Sequence, residues 1–138
     1  MRIVLDANVL VSGIFWSGLP FRVLEIWAVG SVQVLVSAEI LREYADTLRE
    51  IGRHQQASRL AESWTTFVFN HSVLVDVQSS VSICRDPDDN KYLACALDGQ
   101  ASFVVSGDKD LLSLGVFQGI PIVKPRDFIK RAFPNLQG

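Results

Sequence analysis

Acidic side chains follow short apolar runs or open helical patterns at several separate places in the sequence, and they could bind a divalent cation. They are Asp6 after "RIVL", Glu43 within "SAEILREYADTLREI", Asp86, Asp88 and Asp89 in "CRDPDDNKYLACAL", and Asp108 and Asp110 in "SGDKDLL". Converging carboxylates repel each other and raise each other's pKa, so a cluster of them is stable when cations neutralise it. Carboxylate oxygens are hard ligands, which favour Mg²⁺ or Mn²⁺ over zinc. The acids therefore predict a divalent-metal site if the fold brings them together.

Each acid also has a purely structural interpretation. Asp86 followed by Pro87 is a good start for a helix, since aspartate caps an N-terminus and proline suits the first helical position. Glu43 taken alone is a surface glutamate. Asp6 fits such an account least well, because the end of a strand in a parallel sheet is usually buried and a buried carboxylate is costly. The metal interpretation therefore rests on the acids as a group.

Short β-branched runs alternate with longer helical patterns, which predicts an α/β fold. The predicted strands cover residues 2–5, 32–36, 72–77, 102–106 and 120–123, and the predicted helices cover 20–30, 37–51, 54–67, 88–98, 109–114 and 126–133. The strands are mostly apolar on both faces, as in a parallel sheet covered on both sides. Right-handed crossovers place the carboxyl ends of such strands along one edge, where open α/β sheets bind ligands. The acids are expected to meet at that edge.

Length and composition limit the remaining interpretations. The chain has 138 residues, 49% of them hydrophobic, and a net charge of −2, which predicts one domain over residues 1–138 and no basic nucleic-acid-binding tail. Cys84 and Cys95 lie in or beside apolar segments without zinc-like spacing, so we expect reduced thiols. No apolar run is long enough to span a bilayer and no signal peptide is evident, so we expect a cytoplasmic protein without membrane contact.

Four motifs in order resemble those of PIN-domain ribonucleases. They are "IVLDANVLVSG", "SAEILREY", "CRDPDDNKYLACAL" and "FVVSGDKDLL". The similarity is greatest to the bacterial toxins of toxin-antitoxin modules that are related to the VapC toxins, and it covers nearly the whole chain. It implies a three-layer α/β/α Rossmann-like PIN domain with a five-stranded, mostly parallel sheet of order 3-2-1-4-5. It also implies metal-dependent endonucleolytic cleavage of single-stranded or loop RNA.

The resemblance also assigns roles to individual residues. The family's metal-binding and catalytic acids fall on Asp6, Glu43, Asp89 and Asp108. The third assignment leaves Asp86 and Asp88 as alternatives to Asp89. Residues that support the ligands or contact the scissile phosphate fall on Asn8, Ser12, Ser106 and Asp110. Mg²⁺ or Mn²⁺, as one ion or two, would lower the pKa of a water for in-line attack and leave 5′-phosphate and 3′-hydroxyl ends.

Partners follow from the same resemblance. It implies an RNA substrate, a homodimer, and a cognate antitoxin protein whose tail enters the acidic groove. The side chains that could flank or stack on RNA are Trp16, Arg42, Arg53, Lys91, Lys109 and Lys124. Solvated surface charge is the better explanation for each of the five basic residues, and packing in the core or at a subunit interface explains the tryptophan at least as well. His54 and His71 accompany no serine or cysteine in a recognisable triad, so catalysis by imidazole is not expected.

Three alternatives remain open. A receiver-like phosphoacceptor domain also gathers aspartates around Mg²⁺ at this edge, but such domains carry paired acids after the first strand, where this chain has Asp6 alone. A protein-binding module could keep the acidic pocket without catalysis. A housekeeping RNA-processing nuclease would share the chemistry of a toxin, and the identity of the neighbouring gene would separate these two.

Overall fold

The computed structural model describes residues 1–136, which form a six-stranded sheet. The strands are β1 (Arg2–Leu5), β2 (Gln33–Val36), β3 (Val73–Leu74), β4 (Phe103–Val105), β5 (Val116–Phe117) and β6 (Ile120–Val123). Their order across the sheet is β3-β2-β1-β4-β6-β5. Every neighbouring pair is parallel except β5 with β6. The strand that precedes Asp6 is therefore central, with β2 on one side and β4 on the other.

Within the described residues, helices surround this sheet. They are α1 (Ala7–Trp16), α2 (Leu19–Ala28), α3 (Ala38–His54), α4 (Ser58–His71), α5 (Asn90–Gly99), α6 (Lys109–Leu112) and α7 (Pro125–Ala132). Helix α5 packs on β1, β2 and β4, whereas α7 packs on β4 and β6. The predicted α/β class and Rossmann-like arrangement are thereby confirmed. Over residues 1–136, no single helix is long and apolar enough to cross a membrane, although α1 and α2, bent by 99°, meet the criterion as a pair.

The number of strands differs from the predicted five. The predicted order 3-2-1-4-5 holds for the five expected strands, the last of which is β6. The additional strand β5 forms an antiparallel hairpin with it, in which Phe117 faces Ile120. Gln118 and Gly119 between them have φ values of 46° and 82°, as in tight turns whose twist matches that of the paired strands. A strand of two residues has no detectable periodicity, so the sequence pattern could not predict it.

Helix α1, directly after β1, was not expected from the sequence pattern. The Asp6 carboxylate caps this helix by accepting a hydrogen bond from the backbone N of Asn8 at 3.1 Å. Val9, Leu10 and Val11 are consecutive and all buried. A helix that is buried on most sides lacks the polar face that reveals helical periodicity, so its sequence continues the apolar pattern of β1.

The third strand is shorter than the predicted 72–77. Only Val73 and Leu74 pair with β2. Beyond them the chain runs irregularly towards α5, and Asp98 of that helix accepts hydrogen bonds from the backbone N of Gln78 at 2.6 Å and of Ser79 at 2.8 Å. The connection is therefore held by a side chain of α5 where a longer strand was expected.

Helix α3 is anchored at the end of the central strand. Ser37 caps it, as predicted, by accepting a hydrogen bond from the backbone N of Ile40 at 3.2 Å. The apolar stripe of the helix buries Ile40, Tyr44 and Leu48. The hydroxyl of Tyr44 donates a hydrogen bond to the carbonyl of Leu5, the last residue of β1. This contact brings Glu43, the residue before Tyr44, to the edge of the sheet where Asp6 lies.

Gly52 allows α3 and α4 to lie in direct contact, which gives a test of the packing. A Cβ at this position would lie 2.5 Å from the Cβ of Ala61, and neither atom could rotate away. We expect Gly52→Ala to lower the free energy of unfolding by about 1–3 kcal/mol, despite the higher helix propensity of alanine. Urea unfolding followed by circular dichroism measures this. Gly107→Ala, whose Cβ would meet nothing within 4 Å, is the control, and equal midpoints for both variants would contradict the prediction.

Candidate active site

Asp6 lies at the carboxyl end of the central strand and is only 4% exposed. Its Oδ2 accepts a hydrogen bond from Ser106 Oγ at 2.7 Å, and its Oδ1 accepts the bond from the backbone N of Asn8. The backbone N of Asp6 donates to the carbonyl of Val105 at 3.0 Å, which joins β1 to the end of β4. Two of the predicted supporting residues, Asn8 and Ser106, thus contact this carboxylate.

The pKa of Asp6 is raised, and burial is the main cause. The hydrogen bonds from Ser106 and Asn8 lower the pKa, whereas the negative charges of Asp108 and Glu43 raise it further. Ionisation of one acid therefore makes ionisation of its neighbours harder. A bound cation would reverse this effect, because it favours the charged form of every carboxylate near it.

Asp89 and Asp108 lie close together beside Asp6. Asp108 follows β4, and its backbone N donates a hydrogen bond to Ser106 Oγ at 3.0 Å. Burial, the neighbouring carboxyl group of Asp108 and the negative charge of Asp6 together raise the pKa of Asp89 to about 7, with burial as the largest cause. The structure therefore brings together three of the predicted acids, from the end of β1, the end of β4 and the start of α5.

Asp86 and Asp88 have different surroundings. Asp86 caps the short 3-10 turn Pro87–Asp89 by accepting a hydrogen bond from the backbone N of Asp88 at 3.0 Å, as its position before a proline predicts. The charge of Asp86 adds to the raised pKa of Asp89. Asp88 is exposed and lines a surface pocket together with Glu43. Of the three acids in this motif, Asp89 is therefore the one closely coupled to the pair formed by Asp6 and Asp108.

Glu43 is held by two consecutive residues of α5. The hydroxyl of Tyr92 donates a hydrogen bond to its Oε1, and Nζ of Lys91 lies 3.1 Å from its Oε2. The Tyr92 hydroxyl also accepts a hydrogen bond from the backbone N of Ala7 at 3.2 Å, which links α1, α3 and α5. The sequence interpretation missed Tyr92 and considered Lys91 only as a flank of the groove. No spacing rule relates residue 43 to residues 91 and 92, so no sequence signal could reveal this contact.

The other predicted residues lie further from Asp6. The backbone N of Asp110 donates a hydrogen bond to Asp108 Oδ1 at 3.3 Å. The Oδ1 of Asp110 is 3.9 Å from Nη1 of Arg85, whose side chain is 86% exposed. Ser12 is half-buried in α1. Trp16 is exposed at the far end of the same helix, about 15 Å along the axis from Asp6 at the usual helical rise. The rim of the site thus carries one exposed arginine, while the tryptophan lies beyond it.

The chemistry of the three aspartates fits a divalent cation, although their arrangement is not a complete cage. Over residues 1–136, no three His, Cys, Asp or Glu side chains are placed to coordinate one ion. The available donors are carboxylate oxygens, the ligand type that Mg²⁺ and Mn²⁺ prefer. Burial and mutual repulsion both raise the pKa values of Asp6 and Asp89, and a cation would relieve the repulsion. Cation binding would therefore require the carboxylates to move closer together.

Comparison with known proteins gives relatives in sequence and in fold. An uncharacterized protein of Methanocaldococcus jannaschii is 27% identical over an alignment of 121 residues, which covers 83% of this chain and 75% of that protein. Among solved structures, VapBC2 from Rickettsia felis, bound to a DNA fragment from its promoter, superposes with a TM-score of 0.58 over 88% of this chain and 97% of the matched chain. At 12% identity this second likeness shows a shared fold.

The sequence also matches a family model. The model describes the PIN domain and matches residues 2–110, a range that includes Asp6, Glu43, Asp89 and Asp108. The matched range covers three of the four motifs completely, the fourth except for its last two residues, and most of the strands of the sheet. The chain therefore belongs to the PIN domain family.

Proposed function

We propose that this protein is a divalent-metal-dependent endoribonuclease. The observation that carries the proposal is the meeting of Asp6, Asp89 and Asp108 at the carboxyl edge of the sheet, the edge where open α/β sheets bind ligands. PIN domains are generally nucleases. Membership of this family supports the nuclease interpretation over a receiver-like domain or a binding module without catalysis.

Asp6, Asp89 and Asp108 would hold the cation. A divalent cation bound there would stabilise negative charge on the phosphate and lower the pKa of the attacking water. The chain's own contribution is to fix these carboxylates, and Ser106 has a central part in it. Its hydroxyl donates to Asp6 Oδ2 and accepts from the backbone N of Asp108, so one side chain sets the spacing of two acids.

Water is the proposed nucleophile, and the proposed cation rather than a histidine would activate it. His54 is at the end of α3, 4.0 Å from Glu50 on the same helix and about 16 Å along the axis from Glu43. His71 ends α4, with its ring centroid 4.4 Å from that of Phe67. Neither imidazole is in a position to act as a general base beside the carboxylates.

An RNA substrate is compatible with the net charge of −2, since exposed cations lie beside the acids. Arg85 is close to Asp110, and Lys109 is exposed next to Asp108. These side chains would contact phosphates on either side of the bond that is cut. The proposed cation would neutralise the carboxylates themselves, so that a polyanion can approach them.

A role as the toxin of a toxin-antitoxin module completes the proposal. Support comes from the likeness in fold to VapBC2 and from the motifs shared with toxins of the VapC type. The proposed partners are a cognate antitoxin that covers the acidic groove and a second copy of the chain. A housekeeping RNA-processing nuclease is the second candidate, since it would use the same three aspartates.

Asp89→Asn tests the catalytic assignment. The change removes one carboxylate while keeping its shape, so we expect the fold to remain and the rate of RNA cleavage with Mg²⁺ or Mn²⁺ to fall at least about 100-fold. Excess EDTA should abolish cleavage by the wild type. Asp127→Asn, an exposed aspartate on α7, is the matched control and should cleave normally. Unchanged cleavage by the Asp89 variant, or activity that survives EDTA, would refute the assignment.

The repulsion among the acids predicts how stability depends on pH without metal. The folded state raises the pKa of Asp89 from 3.8 to about 7, so it binds more protons than the unfolded state between these values. Stability should therefore decrease as pH rises from 4 to 7, and this group should contribute no further change above pH 7. We expect a contribution of about 1–2 kcal/mol, less than the full shift because the side chain is partly solvated.

Urea unfolding in EDTA at pH 4 and pH 8 measures this contribution. Asp89→Asn should be more stable than the wild type at pH 8 and similar to it at pH 4, and added Mg²⁺ should stabilise only the wild type strongly. Identical pH dependence for the two proteins would mean that Asp89 ionises normally in the fold.

Expression in growing bacteria separates the toxin from the housekeeping nuclease. We expect induction of the wild type to stop growth and induction of Asp89→Asn at equal protein level to leave growth unaffected. Co-expression of a small protein encoded immediately upstream should restore growth. Normal growth with active, soluble wild-type enzyme in the cells would favour the housekeeping role.

A further inference from the structure

Lys91 is an unusually buried lysine at the edge of the acidic site. Its side chain is 8% exposed, whereas that of its partner Glu43 is 29% exposed. Three contacts fix the ammonium group: Oε2 of Glu43 at 3.1 Å, the backbone carbonyl of Asp88 at 2.8 Å, and the ring of Tyr92, whose centroid lies 5.2 Å away. A buried ammonium needs such partners, because moving an unpaired charge out of water is costly.

Both oxygens of Glu43 contact side chains of α5, and one of these side chains is positively charged. Oε1 accepts the hydrogen bond from Tyr92 and Oε2 faces Lys91. The Tyr92 hydroxyl is itself fixed by the backbone N of Ala7. For Oε2 of Glu43 to coordinate a cation, the carboxylate would have to share or lose its contact with the ammonium of Lys91, whose side chain is 8% exposed. Asp6, Asp89 and Asp108, in contrast, have no lysine or arginine among their described ion pairs.

We propose that Lys91 is an internal counter-cation that keeps Glu43 out of the metal-ligand set, so that Asp6, Asp89 and Asp108 alone bind the ion. Lys91 is thus a positioning residue, which acts on the site through Glu43. Glu43 in turn positions Tyr92, whose hydroxyl contacts the first residue of α1 directly after Asp6. This inference rests on the proposed metal site and departs from the assignment of Glu43 as a ligand by resemblance.

The arrangement has a measurable consequence for metal affinity. If Lys91 neutralises Glu43, removal of the lysine frees a carboxylate beside the cluster and increases the local negative charge. Both effects strengthen cation binding. Removal of the Glu43 charge leaves the Lys91 ammonium unpaired, so it should weaken binding slightly through repulsion, but much less than the loss of a ligand does. The two substitutions together should largely cancel, which a double-mutant cycle detects.

The experiment measures Mn²⁺ binding by the full-length protein without RNA, from the electron paramagnetic resonance signal of free Mn²⁺. We expect Glu43→Gln to change the dissociation constant less than about threefold, Lys91→Met to lower it about five- to tenfold, and the double variant to return to within about threefold of the wild type. Lys91→Arg keeps the charge and should bind Mn²⁺ as the wild type does. Asp89→Asn, which removes a proposed ligand, should weaken binding at least about tenfold.

Two controls separate this effect from general electrostatics. Lys130→Met removes an exposed lysine of α7, and Glu39→Gln removes an exposed glutamate one turn before Glu43 on α3. We expect each to change Mn²⁺ affinity less than about twofold, because exposed charges are screened. Thermal melting checks that each variant is folded. If Lys91→Met does not fold, Lys91→Gln retains a hydrogen-bond donor towards Glu43 without the charge and should still tighten binding.

The outcomes distinguish the inference from the proposal beneath it. If Glu43→Gln weakens Mn²⁺ binding as strongly as Asp89→Asn does, Glu43 is a ligand and the inference is wrong. If the Lys91 variants bind Mn²⁺ as the wild type and Lys130→Met do, Lys91 does not control the site and the inference is also wrong. If neither the wild type nor any Lys91 variant binds Mn²⁺, the metal site itself is wrong and the inference falls with it.

Discussion

A carboxylate at the buried end of the central strand is the constraint on which the rest of the site depends. An ionised aspartate that is 4% exposed is costly unless hydrogen bonds and nearby positive charge compensate for the lost water. Ser106 and the backbone N of Asn8 supply two hydrogen bonds to Asp6, and the N-terminus of α1 adds a favourable dipole. The pKa of Asp6 is nevertheless raised, so the compensation is partial. The remaining deficit of positive charge makes this position suitable for a cation.

The order of the strands brings the other acids of the site close to Asp6. Because β4 pairs directly with β1, Ser106 at the end of β4 reaches Asp6 although 100 positions separate them in sequence. Asp108 follows two residues later and bonds to the same hydroxyl. Helix α5 packs on β1 and β4 and carries Asp89 at its start. Three acids therefore converge without any one loop having to be long.

The sequence predicts those parts of the structure whose signals are local. Asp6 follows an apolar strand and Asp86 precedes a proline, so the sequence predicts both the acid at the edge of the sheet and the helical cap. The sequence does not reveal helix α1, because a helix buried on most sides has no alternation of apolar and polar residues. Strand β5 is too short to show any hydrophobic periodicity. The contacts of Glu43 with Lys91 and Tyr92 join helix α3 to helix α5, and only the folded chain brings these three residues together.

Lys91 and Arg85 place positive charge near the acids in two physically different ways. Lys91 is 8% exposed and fixed by Glu43 and the carbonyl of Asp88, so its charge permanently offsets one carboxylate. The side chain of Arg85 is 86% exposed and lies 3.9 Å from Asp110. An exposed ion pair at this distance is weak, so the arginine can exchange one anionic partner for another. It can therefore leave Asp110 for a phosphate at little cost. In the proposed nuclease, the buried lysine would set how strongly the acids repel one another, and the exposed arginine would act only when the phosphate of the substrate arrives.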